Sequence, residues 1–89
     1  MATKRLPITV LMTVFNGEPY VAEAVRSILD QTFREFEFLI IDNGSTDRSR
    51  AMVSAFQDPR IRLVSNRENV GPPRALNQGL RLAAGTYVA

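Results

Sequence analysis

The stretch from Phe36 to Asp47, reading FEFLIIDNGSTD, constrains the chain most, because an apolar run stops there at a carboxylate, an amide, a glycine and two hydroxyls. Phe36 to Ile41, rich in Phe, Leu and Ile, suits a central strand covered on both faces. Asn43-Gly44 permits the positive φ of a tight turn, and Ser45 or Thr46 is placed to cap a following helix. Ligands of open α/β sheets sit at such strand ends, which makes Asp42, Asn43 and Asp47 the first polar groups to test for binding. Turn chemistry and helix capping account for the same residues without a ligand, and at this level both readings stand.

The rest of the chain supplies the partners that such a strand needs. Ile8 to Val14 (ITVLMTV) is β-branched and nearly continuously apolar, as a buried parallel strand should be, and Phe15-Asn16-Gly17 ends it. Pro19 suits a first helical position, and Val21, Ala24, Val25, Ile28 and Leu29 recur at the spacing of one helical face. A second helix is expected from Thr46 to Gln57, with Ala51, Met52, Ala55 and Phe56 inward and Asp58-Pro59 as its stop. In Ile61 to Ser65, Ile61 and Leu63 alternate with Arg62, the pattern of a sheet edge. Asn69-Val70-Gly71-Pro72-Pro73 enters a third helix with Leu76, Gly79, Leu80 and Ala83 along its inner side, Gly85 as its C-terminal cap, and a fourth strand from Thr86.

Strands alternating with helices form a parallel sheet with right-handed crossovers, a three-layer α/β/α Rossmann-like arrangement. The edge-like third strand implies the spatial order 3-2-1-4, which reverses beside strand 1 and puts a crevice between the carboxyl ends of strands 1 and 4. Phe15 and Asn16 would line it, with Asp42 and Asn43 on the next strand over. At 89 residues the chain makes one domain, 1–89, whose core buries roughly 60% of the unfolded surface.

Composition narrows the chemistry. Cysteine and histidine are absent, which removes disulfides, thiolate metal sites and the imidazole base, and leaves acid/base and metal work to carboxylates. Net charge is +2, with the arginines crowding the second half among interspersed acids, the pattern of a solvated surface and not of a nucleic-acid partner. Glu18 and Glu23 read as surface charges, and Asp47 as a first-turn acid facing a helix dipole. No signal core and no membrane-length apolar run is seen, so a cytoplasmic location, at most peripheral to a membrane in the full-length protein, is expected.

Phe15-Asn16-Gly17-Glu18 lacks the glycine pattern of a dinucleotide fold and the Gly-Lys-Ser/Thr ending of a phosphate loop. Asp42, Asn43 and Asp47 lack the spacing and terminal Glu of a calcium loop. A receiver-like signalling domain would need an adjacent acid pair after strand 1 and a strand-end lysine, and neither is present.

Taken together, Phe15-Asn16-Gly17-Glu18-Pro19-Tyr20, Ser27-Ile28-Leu29-Asp30-Gln31-Thr32-Phe33, Ile41-Asp42-Asn43-Gly44-Ser45-Thr46-Asp47, Asn69-Val70-Gly71, Asn77-Gln78-Gly79-Leu80 and Ala84-Gly85-Thr86-Tyr87 resemble, in order, the start of a family 2 glycosyltransferase. The resemblance covers nearly the whole chain from Ile8. It implies the N-terminal half of an A-type glycosyltransferase (GT-A) fold that binds a nucleotide-diphosphate sugar, and an inverting transfer to the hydroxyl of a glycan or lipid-linked acceptor in polysaccharide or glycoconjugate synthesis. The nucleotide-binding set it implies is Thr13, Phe15, Asn16, Asp42, Asn43 and Arg74. In physical terms a ring at Phe15 offers a stacking face, a strand-end carbonyl or carboxylate accepts the imide N–H of a pyrimidine, and Arg74 is a charge-assisted donor for a diphosphate.

The departures from the family pattern are specific. Phe15 stands where the family usually has Tyr, Asn43 replaces the second acid of a pair, and Leu76 occupies a position where arginine is common. Pro72 and Pro73 remove two backbone donors from the start of the third helix. The family's Asp-x-Asp motif for Mg²⁺ or Mn²⁺, and its catalytic base, come after the matched segment, so the 89-residue chain is expected to be a truncated, donor-binding portion that is inactive alone. A rival reading is a non-catalytic interaction module that self-associates through an open sheet edge.

Overall fold

The computed structural model describes residues 8–83 together with the backbone of residues 87 and 88. Strand β1 spans Ile8–Val14, β2 Phe36–Asp42 and β3 Ile61–Ser65, so each β-branched or aromatic run became a strand, with Asp42 drawn into the second. All three run parallel with β2 in the middle, pairing Ile8 with Phe36 through Val14 with Asp42 on one side, and Phe38 with Ile61 through Asp42 with Ser65 on the other. On the far side of β1, Tyr87–Val88 (β4) lies parallel to Ile8 and Thr9. The remainder of the expected fourth strand and the Gly85 cap lie outside the described residues.

Strand alternation divides the interior into two layers. Val14, Phe36, Phe38 and Ile40 pack with Val21 and Val25 of helix α1 (Val21–Leu29) and with Val53 of helix α2 (Ser49–Ser54). On the other face Leu39 and Ile41 pack with Leu11, Val64, and Ala75 and Leu82 of helix α3 (Pro72–Leu82). Phe38, Leu39, Ile40 and Ile41 are all fully buried, as a strand covered on both faces requires.

The helices depart from expectation in three places. Helix α1 begins at Val21, two residues after Pro19, because the N–H groups of Tyr20 and Val21 both donate to the Gly17 carbonyl and close a turn first. Helix α2 is much shorter than Thr46–Gln57: the N–H groups of Thr46 and Asp47 donate to the Asn16 side chain, so the helix starts only at Ser49. Its inner residues are Met52, Val53 and Phe56, while Ala51 and Ala55 face outward.

Helix α3 turns a different face inward from the one its leucines suggest. Ala75 and Gly79 are buried, whereas Leu76 and Leu80 are each 48% exposed. Both sets fit helical periodicity, and close approach selects the smaller one: a Cβ at Gly79 would run into the side chain of Leu11 on β1. The helix ends at Leu82, with Ala83 extended at φ −61° and ψ 129°.

At the amino end of the sheet, Arg60 closes the corner. Its guanidinium holds Asp58 through Nε and Nη2 at 3.0 and 2.8 Å, donates to the carbonyls of Arg34 and Leu29, and lies 4.7 Å from the centre of the Phe36 ring. The Arg60 backbone carbonyl accepts from the N–H of Phe38. Of the arginines read as solvated surface, this one is a structural tie.

Candidate functional site

The carboxyl ends of β1 and β2 lie side by side, since Val14 pairs with Asp42 and the Asn43 N–H donates to the Val14 carbonyl at 2.8 Å. Phe15 and Asn16 thus leave β1 next to the point where Asp42 and Asn43 end β2. The pleat sends the two neighbours on β2 to opposite faces: Asp42 reaches the α2 side, where it meets Ser45, and Asn43 the α3 side, where it meets residues 66–71.

On the α2 side the loops after β1 and β2 are stitched together by short polar side chains. Asn16 sits at φ 51°, a conformation that asparagine tolerates, and its Oδ1 accepts from the N–H groups of Thr46 and Asp47 at 2.8 and 3.3 Å. Its own N–H donates to Ser45 Oγ, and the Ser45 hydroxyl donates to Asp42 Oδ1 at 2.6 Å. Gly17 N–H donates to the buried Ser49 Oγ, which donates in turn to Asp47 Oδ1. The other Asp47 oxygen accepts from Glu18 N–H, and Glu18 Oε1 accepts from Arg48 N–H.

Two charges read from sequence therefore acquire definite partners. Glu18, expected to be a surface charge, ties the two loops together. Asp47 is held below the ordinary carboxylate value of 3.8, first by the Ser49 hydroxyl and then by the N–H groups of Ser49 and Glu18 against a partial loss of solvation. Ser45 and Thr46 do not cap α2: the residue at the cap position is Arg48, without a side-chain capping bond. Ser45 instead fixes Asp42, whose other oxygen, Oδ2, is buried without a hydrogen-bond partner among the described residues. A buried carboxylate oxygen left over in an otherwise satisfied network calls for an explanation.

On the α3 side the Asn43 amide has nothing left over. Asn43, 4% exposed, uses both ends of its amide on Asn66, Asn69, Val70 and Gly71. Gly44 follows at φ 79°, with the backbone of Glu68 and Asn69 lying where its Cβ would be, so the loop after β3 packs directly onto the end of β2.

Of the residues expected at the site, Phe15, Asn16, Asp42 and Asn43 meet at adjacent strand tips. The Phe15 ring is 45% exposed, and Thr13, one residue before the end of β1, is also exposed. Arg74 is exposed in the first turn of α3, three residues after Gly71, whose carbonyl accepts from Asn43. Ser49 and Asn66 were not singled out by sequence reasoning, and Ser45, Glu18 and Gln78 entered it only as a helix cap, a surface charge and part of a motif; Ser45 and Ser49 had a usable signal, as hydroxyls two residues either side of an acid after a strand. The strand tips offer a ring face beside a buried carboxylate, and Arg74 stands exposed on the α3 side.

The family model for glycosyl transferase family 2 matches residues 9–89. The chain belongs to that family. This family 2 chain is 36% identical over 83 residues to the glycosyltransferase GlyG of Streptococcus pneumoniae, covering 91% of this chain and 28% of that protein. It is 33% identical over 82 residues to the UDP-Glc:alpha-D-GlcNAc-diphosphoundecaprenol beta-1,3-glucosyltransferase WfgD of Escherichia coli, covering 92% and 32%. Among solved structures it is similar to the mannosyltransferase PcManGT from Pyrobaculum calidifontis in complex with GDP-Man and Mn²⁺, with a TM-score of 0.79 at 31% identity over 91% of this chain and 25% of that one. S. aureus TarS 1–349 gives a TM-score of 0.85 at 28% identity, over 93% and 26%.

The α/β fold with its parallel three-strand sheet is therefore similar to that of GT-A glycosyltransferases. The family 2 chain spans about a third or less of the length of these relatives. Among the described residues no group of three or more His, Cys, Asp or Glu side chains is placed to hold a metal ion.

Proposed function

We propose that this chain is the donor-nucleotide portion of a glycosyltransferase, a single domain over residues 1–89 that binds a nucleotide-diphosphate sugar for transfer, with inversion, to a hydroxyl of a glycan or lipid-linked acceptor. One observation carries the reading: an exposed ring, Phe15, and a buried carboxylate with an unpartnered oxygen, Asp42, stand at the carboxyl tips of adjacent parallel strands. In this reading the sheet has the order 3-2-1-4, which reverses beside β1. The base stacks on Phe15, Asp42 Oδ2 accepts from base or ribose, Thr13 and Asn16 line the β1 side, Asn43 supports the β2 side, and Arg74 meets the diphosphate.

Transfer forms a bond from the acceptor oxygen to the anomeric carbon and breaks the bond from that carbon to the diphosphate. A carboxylate must take the acceptor proton, and a divalent cation, when bound, offsets charge on the leaving diphosphate. We assign both to residues other than those described, in a full-length protein placed in the cytoplasm or at the membrane face. The similarity to a mannosyltransferase solved with GDP-Man and Mn²⁺ supports the expectation of a divalent cation.

Calorimetric titration of the chain with UDP, dTDP and GDP, each with Mg²⁺ or Mn²⁺, tests the binding claim. At least one nucleotide is expected to bind, and Phe15→Ala to weaken it by about tenfold or more, the worth of one stacked base. Absence of binding of all three at about 1 mM, an affinity of only some 4 kcal/mol, would remove the claim.

A further inference from the structure

Asn43 has an amide with no capacity to spare. Its Oδ1 accepts from Val70 N–H at 3.1 Å and from Asn66 Nδ2 at 3.1 Å, and its Nδ2 donates to Asn69 Oδ1 at 2.9 Å and to the Gly71 carbonyl at 3.4 Å. Two donors and two acceptors are all that a side-chain amide possesses. The backbone fixes which end is which: the Val70 N–H only donates, so it must meet oxygen, and the Gly71 carbonyl only accepts, so it must meet nitrogen. Asn69 is fixed in the same way, because its Oδ1 also accepts from Gly71 N–H at 2.7 Å. The ordering then passes to α3, since Asn66 and Gln78 exchange a reciprocal pair of amide bonds, both 2.9 Å.

We propose that Asn43 is a positioning residue for the loop 66–71 and does not read the nucleotide base. Its amide holds that loop against the end of β2 before any ligand arrives, and base discrimination falls to Phe15 and Asp42. The proposal rests on the donor-binding reading for its ligand, but the loop lock itself stands on the hydrogen bonds alone. An acid at this position would keep the two bonds from Val70 and Asn66 while turning an oxygen toward Asn69 Oδ1 and the Gly71 carbonyl, both acceptors. The amide therefore suits a clamp made of backbone groups in a way that a carboxylate does not.

The consequence has a pH signature. In Asn43→Asp the carboxylate faces two acceptors, so its charged form is disfavoured in the folded protein and its folded pKa rises above the unfolded value. The variant's loss relative to wild type is full above the folded pKa and shrinks as pH falls toward about 4, where protonation restores one donor. The charged groups on the surrounding segments are Arg67 and Glu68 in the loop, Arg74 on α3, and Asp42 on the opposite face of β2; their mutual interactions are common to both proteins, while toward the new carboxylate Arg67 and Arg74 act to lower its pKa and Asp42 and Glu68 to raise it.

Amide hydrogen exchange, followed residue by residue in the chain with Asn43→Asp and Asn43→Ala beside it, decides the matter. In wild type the Val70 and Gly71 amides should exchange slowly despite their place in an exposed loop. In Asn43→Ala they should exchange at least about tenfold faster, with affinities for UDP, dTDP and GDP lowered by a common factor, as expected when a binding-competent loop is only partly populated. In Asn43→Asp the protection should be lost at pH 7 and partly regained near pH 4.5. Fast exchange of Val70 in wild type, or variants that keep its protection while changing the preference among bases, would overturn the proposal. If wild type binds no nucleotide the donor-binding reading fails, and the wild-type exchange rates and the pH profile still decide the role of Asn43; should neither variant fold, the wild-type exchange rates alone decide it.

Discussion

The two ends of the parallel sheet are closed by different chemistry. At the amino end a single charged side chain, Arg60, satisfies Asp58 and two carbonyls and lies over Phe36. At the carboxyl end the work is divided among many short side chains, Asn16, Ser45, Ser49, Asp47 and Glu18 on one side and Asn43, Asn66 and Asn69 on the other, which tie loop to loop. The Arg60 corner uses both oxygens of its acid, whereas the rim leaves Asp42 Oδ2 without a partner among the described residues and Phe15 in solvent. A saturated corner serves the fold, and a rigid rim with one unused acceptor beside an exposed ring is suited to a ligand.

Substitutions can break that comparison. The largest effect is expected at Gly44, where φ is 79° and a Cβ would meet the backbone of Glu68 and Asn69: Gly44→Ala should cost about 3 kcal/mol or more in chemical denaturation. Arg60→Ala should cost about 2 kcal/mol, because it strips Asp58 and two carbonyls of a charged donor. It should leave nucleotide affinity unchanged, so weakened binding in that variant would break the division between the ends. Ser49→Ala removes an acceptor from Gly17 and a donor to Asp47; a loss of about 1 to 2 kcal/mol is expected, together with weaker nucleotide binding as the rim loosens.

The smallest effect is one of pH, and it sharpens the comparison by touching both ends. Asp47 is held below 3.8 chiefly by the Ser49 hydroxyl, and Asp58 chiefly by the Arg60 side chain. Depressed folded values mean that their stabilisation is present above the unfolded value near 3.8 and is lost as pH falls through the lower folded values. Denaturation midpoints followed from pH 6 down to about 2 should show a fall beginning near pH 4. Arg60→Ala should remove the larger part of the Asp58 share of that fall, and Ser49→Ala the larger part of the Asp47 share, the backbone N–H groups that also hold each carboxylate being retained.

Much of this was legible in the sequence, for identifiable reasons. The limits of β1 and β3 follow from β-branched runs that stop at turn residues, and the burial of Phe38 through Ile41 follows from an apolar run without alternation. Helix boundaries were less legible, because they depend on hydrogen bonds from residues distant in sequence: Asn16 delays α2, and no local propensity contains that information. On the inner face of α3 Gly79 was read correctly, but Leu76 and Leu80 were placed there in the position that Ala75 takes, because they fit helical periodicity equally well and only the closeness of Leu11 decides for the smaller residues. At the rim, the residue types at Phe15, Asp42 and Asn43 were visible. That Asp42 and Asn43 face opposite sides follows from strand alternation once β2 is known to continue through Asp42.

The most direct test is a nuclear magnetic resonance titration of the backbone amides with UDP and with GDP. The account predicts shift changes that cluster at Phe15 to Gly17 and Asp42 to Thr46, with Asp58 to Arg60 unmoved. Perturbations centred on the Asp58–Arg60 corner, or none at all up to about 1 mM, would contradict it.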